Sequence, residues 1–284
     1  MKNVSIIPIA MALFLAGSVG ILAEPLEGQE YESRILSDRF YGNLGGFIVD
    51  LNTTAAVGSG TLLGTIIQLE NTLGVEADQG TLQHEGFWRF KRKHAIDWGY
   101  LVINRDGKTS IDEEITIGDP PVTFAVGADI ATTFDMSLFK FDYRYSFVNN
   151  GKTDAGFVGG LSFFKFDLSL FGEITVDPAR QTTERGGTDQ AILAPVPNLG
   201  IYIDFAIKPK VILRTRAQFF DLDFGDFSGR FVDTRFTVDY FFTKHISVGG
   251  GFATTDINAS KSGDDPWRID YQYSGILLYF GGAF

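Results

Sequence analysis

From Phe231 to Phe242 the chain alternates with period two. Val232, Thr234, Phe236, Val238, Tyr240 and Phe242 share one face, and Asp233, Arg235, Thr237 and Asp239 share the other. A helix would repeat every three to four residues, so this is a strand with one apolar and one polar side. Val211 to Phe220 alternates in the same way, with Arg214, Arg216 and Gln218 opposite Leu213, Thr215, Ala217 and Phe219. These strands exceed the 5 to 6 residues usual in globular sheets, and a soluble sandwich would have to press all the apolar faces together. A closed barrel meets the same requirement with lipid outside.

Ten such segments are expected, at 40–53, 80–90, 94–117, 124–147, 155–176, 192–207, 211–224, 227–242, 245–260 and 267–284. Tight turns join them on one side, at Lys91-Arg92-Lys93, Asn149-Asn150-Gly151-Lys152, Lys208-Pro209-Lys210 and Thr243-Lys244. Longer polar stretches, 52–79, 118–123, 177–191 and 261–266, join them on the other. At 284 residues the chain has room for two ordinary domains, but one large barrel uses it as well. Short turns on one rim and long loops on the other describe a single transmembrane antiparallel β-barrel of about ten strands, with eight or twelve as alternatives and both termini periplasmic. The stretch 52–79 fits least well, and Thr61 to Leu69 within it reads as a further strand pair or an ordered outer loop.

Residues 1–23 carry Lys2, an apolar run from Ile6 to Leu15, and small residues up to Ala23 before Glu24, the layout of a secretory signal peptide. The expected domains are therefore a signal peptide at 1–23, a periplasmic lead at 24–39 and the barrel at 40–284, with no peptidoglycan-binding domain after Phe284. With no Cys, the chain has no disulfide, thiol nucleophile, Cys-ligated metal or lipid-anchoring Cys. A formal charge of −11 argues against nucleic acid as a partner. Trp88, Phe90, Trp98, Tyr143, Tyr145, Phe147, Phe157, Phe205, Phe242, Phe280 and Phe284 all fall near the tight-turn rim, as a girdle at a lipid–water boundary does.

The signal peptide, the hairpin rhythm and the ending Tyr271-Gln272-Tyr273-Ser274-Gly275-Ile276-Leu277-Leu278-Tyr279-Phe280-Gly281-Gly282-Ala283-Phe284 resemble the outer-membrane β-barrel proteins of Gram-negative bacteria. The segments 64–74 and 82–90 look like those of small barrels of the outer-membrane protein A and porin-like group. The resemblance implies a bacterial outer-membrane location, contact with outer-membrane lipid and lipopolysaccharide, and assembly by the barrel-assembly machinery. Phe280 and Phe284 would form the assembly signal, although Gly282 stands where an apolar side chain is commoner. It implies no particular activity.

Apolar faces turned to lipid send the opposite faces inward: Glu85, Arg89, Asp97, Lys140, Asp142, Arg144, Lys165, Asp167, Asp204, Arg214, Arg216, Asp233, Arg235, Asp239, Arg268 and Asp270. The set is balanced in sign, which suggests mutual pairing, whereas a selective pore shows a ring of one sign. Arg216 is expected level with Asp233 or Arg235, giving an Arg and Asp ladder on neighbouring strands. About ten strands leave a narrow interior. The charges therefore read first as structural lumen filling and second as the lining of a narrow conduit for a small solute.

Two segments shift phase midway. A bulge near Leu138 and a pivot at Gly275 would reconcile the face of Phe134, Met136 and Leu138 with that of Phe139 to Phe147, and Ile269 to Tyr273 with Ile276 to Phe284. Catalysis has few residues to draw on. His94 and His245 follow tight turns, and His84 alternates with Leu82, Gly86 and Trp88 and so faces lipid or the upper rim; facing lipid, it could serve a lipid-A or phospholipid hydrolase. No Ser beside it completes a site. The acidic stretches 106–114 and 264–265 do not follow the ligand order of a calcium loop. Gly249-Gly250-Gly251 precedes no helix and reads as close packing. No cofactor or metal is expected.

Overall fold

A computed structural model describes residue 36 and residues 38–177 and 182–284. The expected signal peptide and most of the expected lead lie outside the described residues. In chain order the elements are β1 (Phe40–Val57), the short β2 (Ile67–Gln68), one helical turn α1 (Leu69–Thr72), β3 (Asp78–Lys91), β4 (His94–Ser110), the short pair β5 (Ile115–Ile117) and β6 (Val122–Phe124), β7 (Asp129–Asn149), β8 (Thr153–Asp177), β9 (Thr182–Lys208), β10 (Val211–Phe224), β11 (Phe227–Phe241), β12 (Ile246–Lys261) and β13 (Trp267–Ala283). The ten long strands pair in sequence order, and β13 pairs back onto β1 from Trp267 to Ala283. That closes an antiparallel barrel of ten strands and removes the edges an open sheet would expose, except above Leu199 and Phe219.

Paired residues followed around the ring leave β1 at Phe40, pass through Trp88, Ile96, Tyr143, Gly159, Leu199, Phe219, Val232, Asp256 and Gln272, and return to β1 at Asn52. A stagger of 12 residues over ten strands corresponds to a strand tilt of about 40°. The even strand number brings both ends of the barrel to the tight-turn rim, where Phe40 N–H donates to Phe284 O at 2.8 Å and Phe284 N–H to Phe40 O at 2.8 Å.

Pairing between β9 and β10 stops at Leu199 and Phe219, although β9 continues along β8 up to Thr182. Pro195 and Pro197 lie in that half-paired stretch. Proline has no N–H to donate, so it belongs on a strand edge.

No bulge shifts the faces. Around Leu138 the register of β7 with β4 and β8 is unbroken, and around Gly275 so is that of β13 with β1 and β12. The register shifts on the tight-turn side are at Arg89/Lys91, Ser146/Val148 and Val211/Ile212. What changes along a strand is polarity. Near the tight turns β7 exposes Phe139, Phe141, Tyr143, Tyr145 and Phe147 and buries Lys140, Asp142 and Arg144, while in its other half it buries Phe134, Met136 and Leu138. An apolar exterior over a polar interior gives way to a polar exterior over an apolar interior, which in sequence looks like a one-residue slip.

On β1 the outward face is apolar from Phe40 to Ile48 and polar from Asp50 to Thr54. Eight residues of tilted strand span about 20 Å along the axis, near the ~25 Å apolar band of outer-membrane barrels. Of the expected girdle, Trp88, Phe90, Tyr143, Tyr145, Phe147, Phe157, Phe242, Phe280 and Phe284 are exposed on this band. Phe205 is buried beneath the Lys152 ammonium, 5.4 Å above its ring, and does not reach lipid.

Candidate functional site

The charged lumen is positioned by the inward faces of seven strands in their tight-turn halves. Lys140 Nζ on β7 lies 2.8 Å from Asp233 Oδ2 on β11. Arg144 meets Asp97 on β4 at 3.0 Å and Asp204 on β9 at 3.2 Å. Arg214 bridges Asp204 at 2.9 Å and Asp239 at 2.5 Å. Arg216 reaches across from β10 to Asp97, with Asp142 at 3.7 Å, and Arg235 pairs with Glu85 of β3. Arg89 pairs with Asp154 at the tight-turn end of β8.

These pairs largely span the interior. Arg216 is level with Arg235, and Gln218 with Asp233, so the Arg and Asp ladder expected between neighbouring strands gives way to cross-lumen contacts for Asp233 and Arg216. Strands tilted about 40° in a ten-stranded ring carry long side chains past their neighbours. Aromatic rings separate the cations: Arg144 lies over Tyr202 at 4.0 Å and Phe87 at 4.9 Å, and Arg214 over Tyr41 at 4.1 Å. Such contacts offset the desolvation of a buried guanidinium.

Four expected lumen residues stand elsewhere. Lys165 and Asp167 bond each other at 2.7 Å on the outer face of β8, their side chains 55% and 37% exposed. Arg268 and Asp270 pair at 2.5 Å on the outer face of β13. They lie in the halves where polarity is inverted, so reading the apolar side as the lipid side placed them on the wrong face. The buried residues around them are Phe164, Phe166, Ile269 and Tyr271.

Apolar material closes the charged layer on both sides. Toward the tight turns Leu36 packs with Tyr41, Phe87, Ala95, Ala206, Ile212, Phe241 and Ala283. Toward the long loops the barrel is filled by Phe47, Phe134, Phe164, Phe166 and Phe231 together with loop residues Ile67, Leu69, Leu73, Ile115, Ile117 and Phe124. The stretch expected as a strand pair or outer loop thus folds inward as β2 and α1. Arg105 fastens it: its guanidinium donates to Glu70 Oε1 at 2.6 Å, Thr53 Oγ1 at 2.6 Å and Glu76 O at 3.2 Å, and lies 5.0 Å from the Phe134 ring. A cavity of about 60 Å³ remains among Tyr41, Glu85, Arg144, Arg214 and Arg235, enough for a few waters.

Sequence reasoning missed Asp154, Arg105 and Glu70, and the neutral partners Tyr41, Asn198 and Tyr202, while Gln218 stands on the inward face where alternation put it. Strict alternation from Asp97 along the unbroken β4 leads to Arg105; Glu70 has no local signal.

His84 faces outward within the apolar band and has both ring nitrogens engaged. Nδ1 lies 2.6 Å from Asn43 O, an acceptor, and Nε2 accepts from Trp98 Nε1 at 3.0 Å. Both ring nitrogens are thus occupied by protein partners, and neither is free to act as a base. Among the described residues no group of three or more acidic or His side chains is arranged to hold a metal ion.

No family model and no curated protein matches this sequence. Solved structures do. The outer membrane protease OmpT from Escherichia coli is similar over 91% of this chain and 99% of its own, with a TM-score of 0.52 and 10% identity. OprG from Pseudomonas aeruginosa matches over 86% and 95% at TM-score 0.34 and 11% identity, and the toluene transporter TbuX from Ralstonia pickettii over 90% and 92% at TM-score 0.36 and 9% identity. At 10% identity the likeness to OmpT is one of fold alone. The chain has the fold of an outer-membrane β-barrel, and its apolar band fits it to that membrane.

Proposed function

We propose that the protein is a structural outer-membrane barrel whose lumen is filled by paired charges and does not conduct. The observation that carries this reading is the layering: a buried charge network lies between two apolar layers, one of them built partly from inward-folded loops. A conduit needs a continuous wet path and sites weak enough for an ion to leave. Here each inward Arg and Lys of the network already holds a carboxylate. The tight-turn rim faces the periplasm in this reading, and the barrel-assembly machinery and lipopolysaccharide are its partners.

Refolded protein in a planar bilayer is expected to show no steady conductance steps. Stable steps whose ion preference changes in Asp97→Asn would replace this reading with the narrow conduit.

A further inference from the structure

We propose that a groove in the lipid-facing wall, across β1, β3 and β4, holds one acyl chain of a phospholipid whose headgroup carries an ammonium. Two outward register rows cross β1 and β3 there, Gly46 with Leu82 and Ile48 with Gly80. The outward row below them, toward the tight turns, sets Leu44 against His84 and, on β4, Tyr100. Leu44, Ile48, Leu82 and Tyr100 are exposed and stand up as walls. Gly46 and Gly80 put no side chain between them, and a Cβ at Gly80 would meet no atom within 4 Å. The groove so formed measures about 560 Å³, within the range of small-ligand sites.

Its floor is built into the fold. Backbone pairing of β3 with β4 stops at Gln83 and Leu101. Above that level Gln79 Nε2 donates to Asn104 O at 2.6 Å, and Thr81 Oγ1 donates to Val102 O. Side chains thus close the seam under the groove where the backbone ladder ends.

Lipid is the medium on this face, because the groove lies in the apolar band just below its boundary between Ile48 and Asp50. Lipid tails are as apolar as Leu, so burial of carbon does not by itself select an occupant. A chain in the groove gains dispersion contacts on several sides and loses freedom. Selection falls to the headgroup. The next outward row above Ile48 and Gly80 sets Asp50 directly against Asp78. Both are exposed, and neither forms an ion pair among the described residues. Like charges placed opposite each other on paired strands repel. An ammonium beside them relieves that repulsion, whereas an anionic headgroup without an amine adds to it. Groove and carboxylate pair together fit an ethanolamine phospholipid, its chain along the wall and its amine at the water boundary.

The test places the refolded full chain in lipid discs of equimolar phosphatidylethanolamine and phosphatidylglycerol with identical acyl chains, and native mass spectrometry reads which lipid stays on the barrel. One retained phosphatidylethanolamine is expected, preferred about tenfold, roughly 1.4 kcal/mol, over phosphatidylglycerol. Gly80→Phe fills the groove and should lower retention of either lipid about tenfold. Asp50→Asn with Asp78→Asn should keep a retained lipid while the preference falls to about one. Heat-modifiable gel migration verifies that the variants fold, and Gly46→Leu replaces Gly80→Phe if that one does not. No retained lipid, equal retention of the two lipids by the parent chain, retention unchanged by filling the groove, a preference unchanged in the double variant, or pairs of barrels that carry no lipid would overturn the proposal.

Discussion

The Lys140 ammonium on β7 and the Asp233 carboxylate on β11 meet at 2.8 Å across the interior, with β8, β9 and β10 between them in the wall. Asp233 also accepts from Thr255 Oγ1 at 2.6 Å, and the Phe231 ring lies 5.8 Å from the ammonium. A pair so enclosed joins opposite sides of the ring, so its loss acts on the whole barrel rather than on one hairpin.

Asp233→Ala leaves Lys140 charged and without its partner. The expected cost is about 3 to 5 kcal/mol if the layer is dry. Thermal unfolding in detergent should show a clear drop, and Lys140→Met combined with Asp233→Leu should recover much of it, because two matched apolar side chains leave no orphaned charge. A water-filled lumen would screen the single variant and produce little change.

Lys165 and Lys140 are both on the barrel wall but on opposite faces. Lys165→Ala removes an exposed ion pair and should change stability by no more than about 0.5 kcal/mol. Lys140→Ala strands Asp233 inside and should cost about 3 kcal/mol or more. Equal effects in thermal melts would contradict the face assignment of β8.

Period two made the ten strands and the tight-turn rim legible, because alternation is a local property of a pleated chain. It misplaced Lys165, Asp167, Arg268 and Asp270 because it reports which face is apolar and not which face is outside. That distinction depends on where lipid ends, between Ile48 and Asp50 on β1, and on what fills the barrel above that level. Pair identities were hidden for a related reason. Lys140 to Asp233 and Arg216 to Asp97 depend on the stagger of 12 residues, which emerges only when the ring closes. Gly249 is intermediate: its run read as close packing, and the structure shows the Tyr279 ring and the Asp239 carboxylate against the space a side chain would occupy.

The inward-folded loop depends on Arg105 and Glu70. Glu70→Ala would leave a guanidinium in the apolar upper layer with only Thr53 Oγ1 and the Glu76 carbonyl as acceptors, at an expected cost of about 3 to 5 kcal/mol. Loosening should concentrate between residues 58 and 77. Limited proteolysis of the refolded variant should therefore cut within that stretch under conditions where the parent chain stays intact, and an unchanged pattern would show that apolar packing alone holds the loop.

The lipid boundary on β1 can be located because the chain contains no Cys, so any introduced thiol is the sole reporter. Leu44 and Ile48 face outward in the apolar band, and Asn52 faces outward beyond it. In membranes, Leu44→Cys and Ile48→Cys should resist a charged, membrane-impermeant maleimide, which needs water to form and reach the thiolate. Asn52→Cys should react readily, and on intact cells it should react from outside if the long-loop rim faces the medium. Labelling at Leu44→Cys as fast as at Asn52→Cys would mean that lipid does not cover this face. Labelling of Asn52→Cys only after the outer membrane is opened would invert the barrel.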